Sequence, residues 1–79
     1  MATKRVTLIF PQQLVKEPVI YTMAKECELI PNIRRAKVTE TVGEVTLELE
    51  GGEDNIKRGI AFLEKKGVKV EPVVGDAAS

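Results

Sequence analysis

Histidine and tryptophan are absent from this 79-residue chain, and cysteine occurs once, as Cys27. With no imidazole and one thiol, the chain cannot assemble a Ser-His-Asp triad, a Cys-His dyad or most transition-metal sites, and an internal disulfide framework is excluded. Aromatic side chains are also scarce: one tyrosine and two phenylalanines. Base-stacking platforms for single-stranded RNA need more than that. An excess of either charge is missing as well. Twelve Lys and Arg residues balance twelve Asp and Glu residues, and a neutral chain gains little from nucleic-acid phosphates or anionic lipid. No apolar run approaches the roughly 18 residues of a membrane span, and the apolar stretch near the start is too short for a secretory signal. The expectation is a cytoplasmic chain with no cofactor, no nucleic-acid partner and no membrane insertion.

What is present is a globular balance, 43% apolar and 30% charged, sufficient for one small domain. The domain is expected over residues 3–74. Residues 75–79 hold nothing apolar larger than alanine and read as a flexible tail.

Val6, Leu8 and Phe10 alternate with Thr7 and Ile9, the period of a strand with one buried face, and Pro11 ends it. Residues 12–17 read as a loop, and Pro18 fits the first position of a helix because its missing N–H costs nothing there. That helix is expected to reach about Glu28, with Val19 or Ile20, Met23, Ala24 and Cys27 on its apolar stripe. Cys27 then reads as a small buried hydrophobe. Residues 32–42 read as a second strand after Pro31. The cleanest alternation follows in Glu44-Val45-Thr46-Leu47-Glu48-Leu49-Glu50, a half-buried antiparallel strand. A two-residue loop at Val42-Gly43 would set Val38 opposite Leu47 and Ala36 opposite Leu49 in the core, and pair Lys37 with Glu48 and Arg35 with Glu50 outside. After Gly51-Gly52, the acidic Glu53 and Asp54 open a second helix and Lys65-Lys66-Gly67 closes it, with Ile56, Gly59, Ile60 and Leu63 on one side. A last strand is expected at 68–71.

The element order is βαββαβ, which predicts an α+β, ferredoxin-like fold: a four-stranded antiparallel sheet with two helices on one face. Right-handed crossovers place the first and third strands in the centre and leave the second at an open edge. A homodimer through that edge would pair its free backbone groups and enlarge a small core.

Catalytic chemistry is hard to build from these residues. Glu48 with Glu50, and Glu53 with Asp54, lie where solvated charge is expected, and Gly51-Gly52 lacks the lysine and spacing of a phosphate loop. The loop after the first strand, Pro11-Gln12-Gln13-Leu14, offers no soft metal ligand. No enzyme is expected. Asn32 stands among apolar residues at the start of the edge strand. Its carboxamide both donates and accepts, which suits the two ends of a zwitterion, although it equally suits a cap on the preceding turn. Arg34 reads either as a strand-end residue or as an interface residue. Tyr21 reads as a helix-surface residue or an interface contact.

The run Asn32-Ile33-Arg34, then Ala36-Lys37-Val38, the segment from Gly43 through Gly51, and the close from Ile60-Ala61-Phe62-Leu63 to Gly67-Val68-Lys69-Val70-Glu71 together resemble the NIL domain. The resemblance spans almost the whole chain and implies a ferredoxin-like domain. In its best-known setting that domain is the C-terminal regulatory module of the ATPase subunit of methionine ABC importers, where it dimerises and binds methionine. The family also occurs beside iron-sulfur ferredoxin modules in sulfur metabolism and as short stand-alone proteins, and with no Walker motif and no cysteine cluster the chain looks like the last kind. By the same resemblance Asn32 takes the position of the asparagine at the amino-acid pocket between two domains. Ile33 takes the second motif position, and Val38 that of an apolar pocket residue. The third position, apolar in the family, is Arg34 here, and a guanidinium favours an acidic ligand, a carboxylate or a protein partner.

Two functions follow as expectations. One is a dimeric regulatory domain binding an amino acid such as methionine through Asn32, Ile33, Arg34 and Val38, and acting on an unknown effector protein. The other is an adaptor that docks a protein on its edge strand with no small-molecule ligand.

Overall fold

A computed structural model describes residues 1–73. The expected tail at 75–79 and the domain's expected end at residue 74 lie outside the described residues. Strand β1 spans Ala2–Phe10, α1 Val19–Cys27, β2 Ile30–Val38, β3 Gly43–Gly51, α2 Glu53–Lys66 and β4 Lys69–Pro72. The four strands form one antiparallel sheet in the order β2-β3-β1-β4, the ferredoxin-like arrangement that the element order predicts. Val6, Leu8 and Phe10 of β1 and Val45, Leu47 and Leu49 of β3 are buried with Val19, Met23 and Cys27 of α1 and Ile56 and Leu63 of α2. The core is thus the period-2 face of the two central strands closed by the two helical stripes.

Two glycines let this core close. A methyl group placed on Gly59 of α2 would lie 2.6 Å from Leu29 Cδ1 and 3.0 Å from Met23 Sδ, and one on Gly51 would lie 2.7 Å from Leu29 Cδ2. Leu29, itself buried, therefore fills the hollows of both glycines with its two methyls. The end of α2 matches its sequence signals: Gly67 adopts φ 104° and its N–H donates to the Glu64 and Leu63 carbonyls.

Several local expectations are corrected. β1 begins at Ala2 instead of residue 6, because β3 pairs with it along its whole length, from Ala2 opposite Gly51 to Phe10 opposite Gly43. The expected loop at 12–17 contains a 3-10 turn at Gln12–Leu14 that buries Leu14. Pro18 caps α1 from outside, and the helix stops at Cys27, where Glu28 turns left-handed at φ 55°. β4 runs one residue later than expected, with Val68 buried in the connection before it.

The largest correction concerns β2. It covers Ile30–Val38, not 32–42, and Pro31 lies within it, as an edge strand allows. The turn to β3 takes four residues, 39–42. Thr39 closes it: its N–H donates to the Val42 carbonyl at 2.7 Å, and its hydroxyl oxygen accepts from the N–H groups of Thr41 and Val42 at 3.3 and 3.0 Å. The longer turn shifts the register, so Ile33 faces Leu47, Ala36 faces Val45, Lys37 faces Glu44 and Val38 faces Gly43, with a bulge between Ile33 and Arg35. The expected pairings of Lys37 with Glu48 and Arg35 with Glu50 are replaced; Glu48 takes Arg5 of β1 instead, at 2.7 Å. Ala36 and Val38 do occupy the helix-side face, yet both are exposed, since the helices cover the central strands and leave the edge bare.

Candidate functional site

β2 is the surface that the fold leaves unfinished. One side of its backbone pairs with β3, and among the described residues no strand pairs with the other. Pro31, Ile33, Ala36 and Val38 lie on the helix-side face, opposite the buried Leu49, Leu47, Val45 and Gly43. Ile33 is 55% exposed and Val38 61%. An apolar stripe thus continues the core beyond its cover, and such a stripe is what a partner or ligand buries.

Asn32 falls on the other face. The register aligns it with Glu48, and Glu48 with Arg5. The row Arg5, Glu48, Asn32 therefore crosses three strands on the outer face of the sheet. Glu48 accepts a hydrogen bond from the Arg5 guanidinium. That bond holds its carboxyl below the ordinary carboxylate value against the opposing effect of desolvation, with the charges of Arg5 and Arg34 adding in the same direction. Arg34, the extra residue of the bulge, therefore contributes its charge toward Glu48. In the next row Thr7 and Thr46 share a hydrogen bond between hydroxyls at 3.0 Å.

The four residues singled out in the sequence all lie on β2 and all are exposed, but one chain does not converge them. Asn32, Ile33 and Arg34 cluster at the bulge, with Asn32 and Ile33 on opposite faces. Val38 lies at the far end, four to six residues on, roughly 13–20 Å along the strand at about 3.3 Å per residue. There it walls a cavity of about 240 Å³ between the start of α1, the end of β1 and the start of β3, lined by Phe10, Val15, Val19, Tyr21 and Val45 together with Glu17. Sequence reasoning missed this cavity. Tyr21, 65% exposed, carried the one available signal, as an aromatic on the polar side of an amphipathic helix. Among the described residues, no group of three or more His, Cys, Asp or Glu is placed to hold a metal ion, and no helix is long and apolar enough to cross a membrane.

The class these features define is a small ferredoxin-like domain with an apolar stripe left exposed on its edge strand. Comparison with known proteins narrows the class. The NIL domain profile matches residues 4–72, and the chain belongs to the NIL domain family. It is 30% identical over 70 residues to methionine import ATP-binding protein MetN 1 of Bacillus cereus, covering 84% of this chain, and 36% identical over 67 residues to MetN 2 of Acinetobacter baylyi, covering 80%. In each case the match takes in only 20% of the relative, so the chain spans about one fifth of the length of these curated proteins. A crystal structure of the C-terminal domain of an ABC transporter ATP-binding protein from Enterococcus faecalis superposes with a TM-score of 0.79 at 26% identity, covering 91% of this chain and 84% of that one.

Proposed function

We propose that this NIL domain is a non-catalytic regulatory module that binds an amino acid, methionine first among the candidates, at the β2 edge between two copies of the chain. The observation that carries the reading is the bare edge itself: exposed Ile33 and Val38 on an apolar stripe of its helix-side face and the exposed amide of Asn32 on its outer face, in a chain whose relatives are named as methionine import ATP-binding proteins. Apolar surface is worth roughly 25 cal/mol per Å² when buried, so a thioether side chain gains by covering Ile33. The Asn32 carboxamide supplies two N–H donors for a carboxylate and a carbonyl acceptor for an ammonium group, and Arg34 adds a cation on the carboxylate's side. Regulation follows if ligand occupancy favours one arrangement of the two copies over another. The effector in this reading is the ATPase of a methionine importer, which the relatives' names put first.

The test is a melting-temperature panel of the twenty amino acids, with Asn32→Ala alongside. A specific ligand at 100 times its Kd adds about 2.7 kcal/mol, a rise of more than about 10 °C for a domain of this size. Methionine is expected to give that rise, and Asn32→Ala to lose it while keeping its own cooperative melt. The same edge, with Arg34, Arg35 and Lys37 along it, favours a second reading, an adaptor that receives a strand from a partner protein. A flat panel from a folded protein, with Arg34→Leu weakening partner capture, would establish that alternative.

A further inference from the structure

α1 and α2 pack side by side, and the seam between them opens to solvent as a groove that no strand residue lines. Its wide part, about 530 Å³, lies among Glu26 of α1 and Phe62, Lys65 and Lys66 of α2, within the size range of small-molecule sites. A narrow part, about 40 Å³, continues past Thr22 and Pro18 toward Glu17 and shares Phe62 and Lys66 with the wide one. Phe62 is half-buried and borders both parts, with the Lys66 ammonium 5.7 Å from its ring centroid. Arg58, Phe62 and Lys66 follow one another at four-residue spacing and so share one side of α2. Among the described residues no ion pair engages Arg58, Lys65 or Lys66. The helix dipole accounts for cations in the last turn; it accounts neither for Arg58 in the middle of α2 nor for an aromatic ring between the cations.

We propose that this groove is a nucleotide site. The base of a nucleoside phosphate stacks on the Phe62 ring, its ribose hydroxyls donate to the Glu26 carboxylate, and its phosphates lie against Lys65, Lys66 and Arg58. The mixture of residue types selects this class. Glu26 repels a simple anion, and a purely apolar molecule leaves the cations unmet, whereas a ligand with a flat ring, a diol and phosphates uses every charged group of the wide part. One ring serves one base, so the site suits a mononucleotide and not a strand. Binding replaces the Lys66–Phe62 contact by base stacking and releases the ammonium to a phosphate. Gly59 stands between Arg58 and Phe62 in the chain and is clasped by Leu29, which fixes the roll of α2 and keeps the groove formed before a ligand arrives. The site uses α1 and α2 alone, so it gives the module a second input that does not depend on an amino acid at β2.

An amide-resolved NMR titration of the unmodified protein with ADP tests the site, with adenosine and pyrophosphate as the two halves of the ligand. ADP is expected to give saturable shifts at residues 22–26 and 58–66, and to bind at least tenfold more tightly than either half. Replacing both lysines, Lys65→Gln with Lys66→Gln, should weaken ADP at least tenfold while the protein keeps its cooperative melt, since glutamine is a good helix former. Phe62→Leu should weaken ADP at least fivefold and leave pyrophosphate unchanged. The Glu26 contact has its own readout: 2′-deoxy-ADP should bind more weakly than ADP, and the difference should vanish in Glu26→Ala, which a merely structural role of Glu26 would not produce. No saturable shift at millimolar ADP would overturn the proposal. Equal binding of ADP and pyrophosphate, indifferent to Phe62→Leu, would also overturn it, leaving only the capture of any anion by surface cations. The methionine panel stands or falls separately, because none of these residues lies on β2.

Discussion

Gly59→Ala sets two known effects against each other at one position. Glycine in a helix interior is about 0.8–1 kcal/mol worse than alanine, so on propensity alone the substitution stabilises α2. Sterics oppose it: the new methyl would lie 2.6 Å from Leu29 Cδ1 and 3.0 Å from Met23 Sδ, both side chains buried. Leu29 cannot simply rotate away, because its other methyl already occupies the hollow over Gly51, 2.7 Å from where a side chain there would begin. Overpacking of a closed core costs about 1–3 kcal/mol, and a leucine wedged between two glycines places this site at the upper end. The net expectation is a loss of about 1–2 kcal/mol, or a Tm fall of roughly 5–15 °C. A double-mutant cycle isolates the cause. Leu29→Ala alone should cost about 2–5 kcal/mol; in that background the methyl of Gly59→Ala meets only Met23 Sδ at 3.0 Å, a flexible thioether that can shift into the space Leu29 vacated, and the substitution should become stabilising by up to its propensity gain. Urea denaturation of the four proteins measures the cycle. A stabilising Gly59→Ala in the wild-type background, or the same effect in both, would refute the wedge.

Acid sensitivity should depend on Glu48. Its carboxyl is held below the ordinary value by Arg5, so it contributes stability that is fully present above the unfolded value of about 4.3 and lost as pH falls through the lower folded value. The stability gap between wild type and Glu48→Gln should accordingly shrink between pH 6 and pH 3 in urea melts, and a gap that stays constant would show that the carboxylate gains nothing from Arg5. Thr39→Val removes the hydroxyl that closes the 39–42 turn and should cost about 0.5–1.5 kcal/mol, with faster hydrogen exchange at the Val42 amide; unchanged exchange there would count against the turn. Gly67→Ala forces a Cβ onto φ 104° and should cost about 1–2 kcal/mol, read as a Tm loss that leaves the core's exchange pattern intact.

Much of this architecture was legible because local signals agreed with one another. Alternation at Val6, Leu8 and Phe10 and at Val45, Leu47 and Leu49, with acidic residues at the start of α2 and Gly67 past its end, points to one answer, and those residues form the core and the helix cap. β2 was less legible. Its register depends on how Thr39 folds the turn, through side-chain hydrogen bonds that no hydrophobic period reveals. The burial of Ala36 and Val38 was misjudged for a different reason: periodicity assigns a residue to a face, whereas cover depends on where the helices stop. At the candidate site, Asn32, Ile33, Arg34 and Val38 were all traceable to the edge strand, while their division between two faces and the cavity beside Val38 come from tertiary placement. Nothing about Phe10, Val15 and Val19 in the sequence distinguishes a cavity wall from filled core.

An amide-resolved NMR titration of the protein with L-methionine tests the central claim most directly, since it reports both whether the ligand binds and where. The account predicts saturable shifts concentrated on residues 30–38 and on their β3 neighbours, absent in Asn32→Ala. A spectrum that does not change, or shifts confined to α2 and β4 far from the open edge, would contradict it.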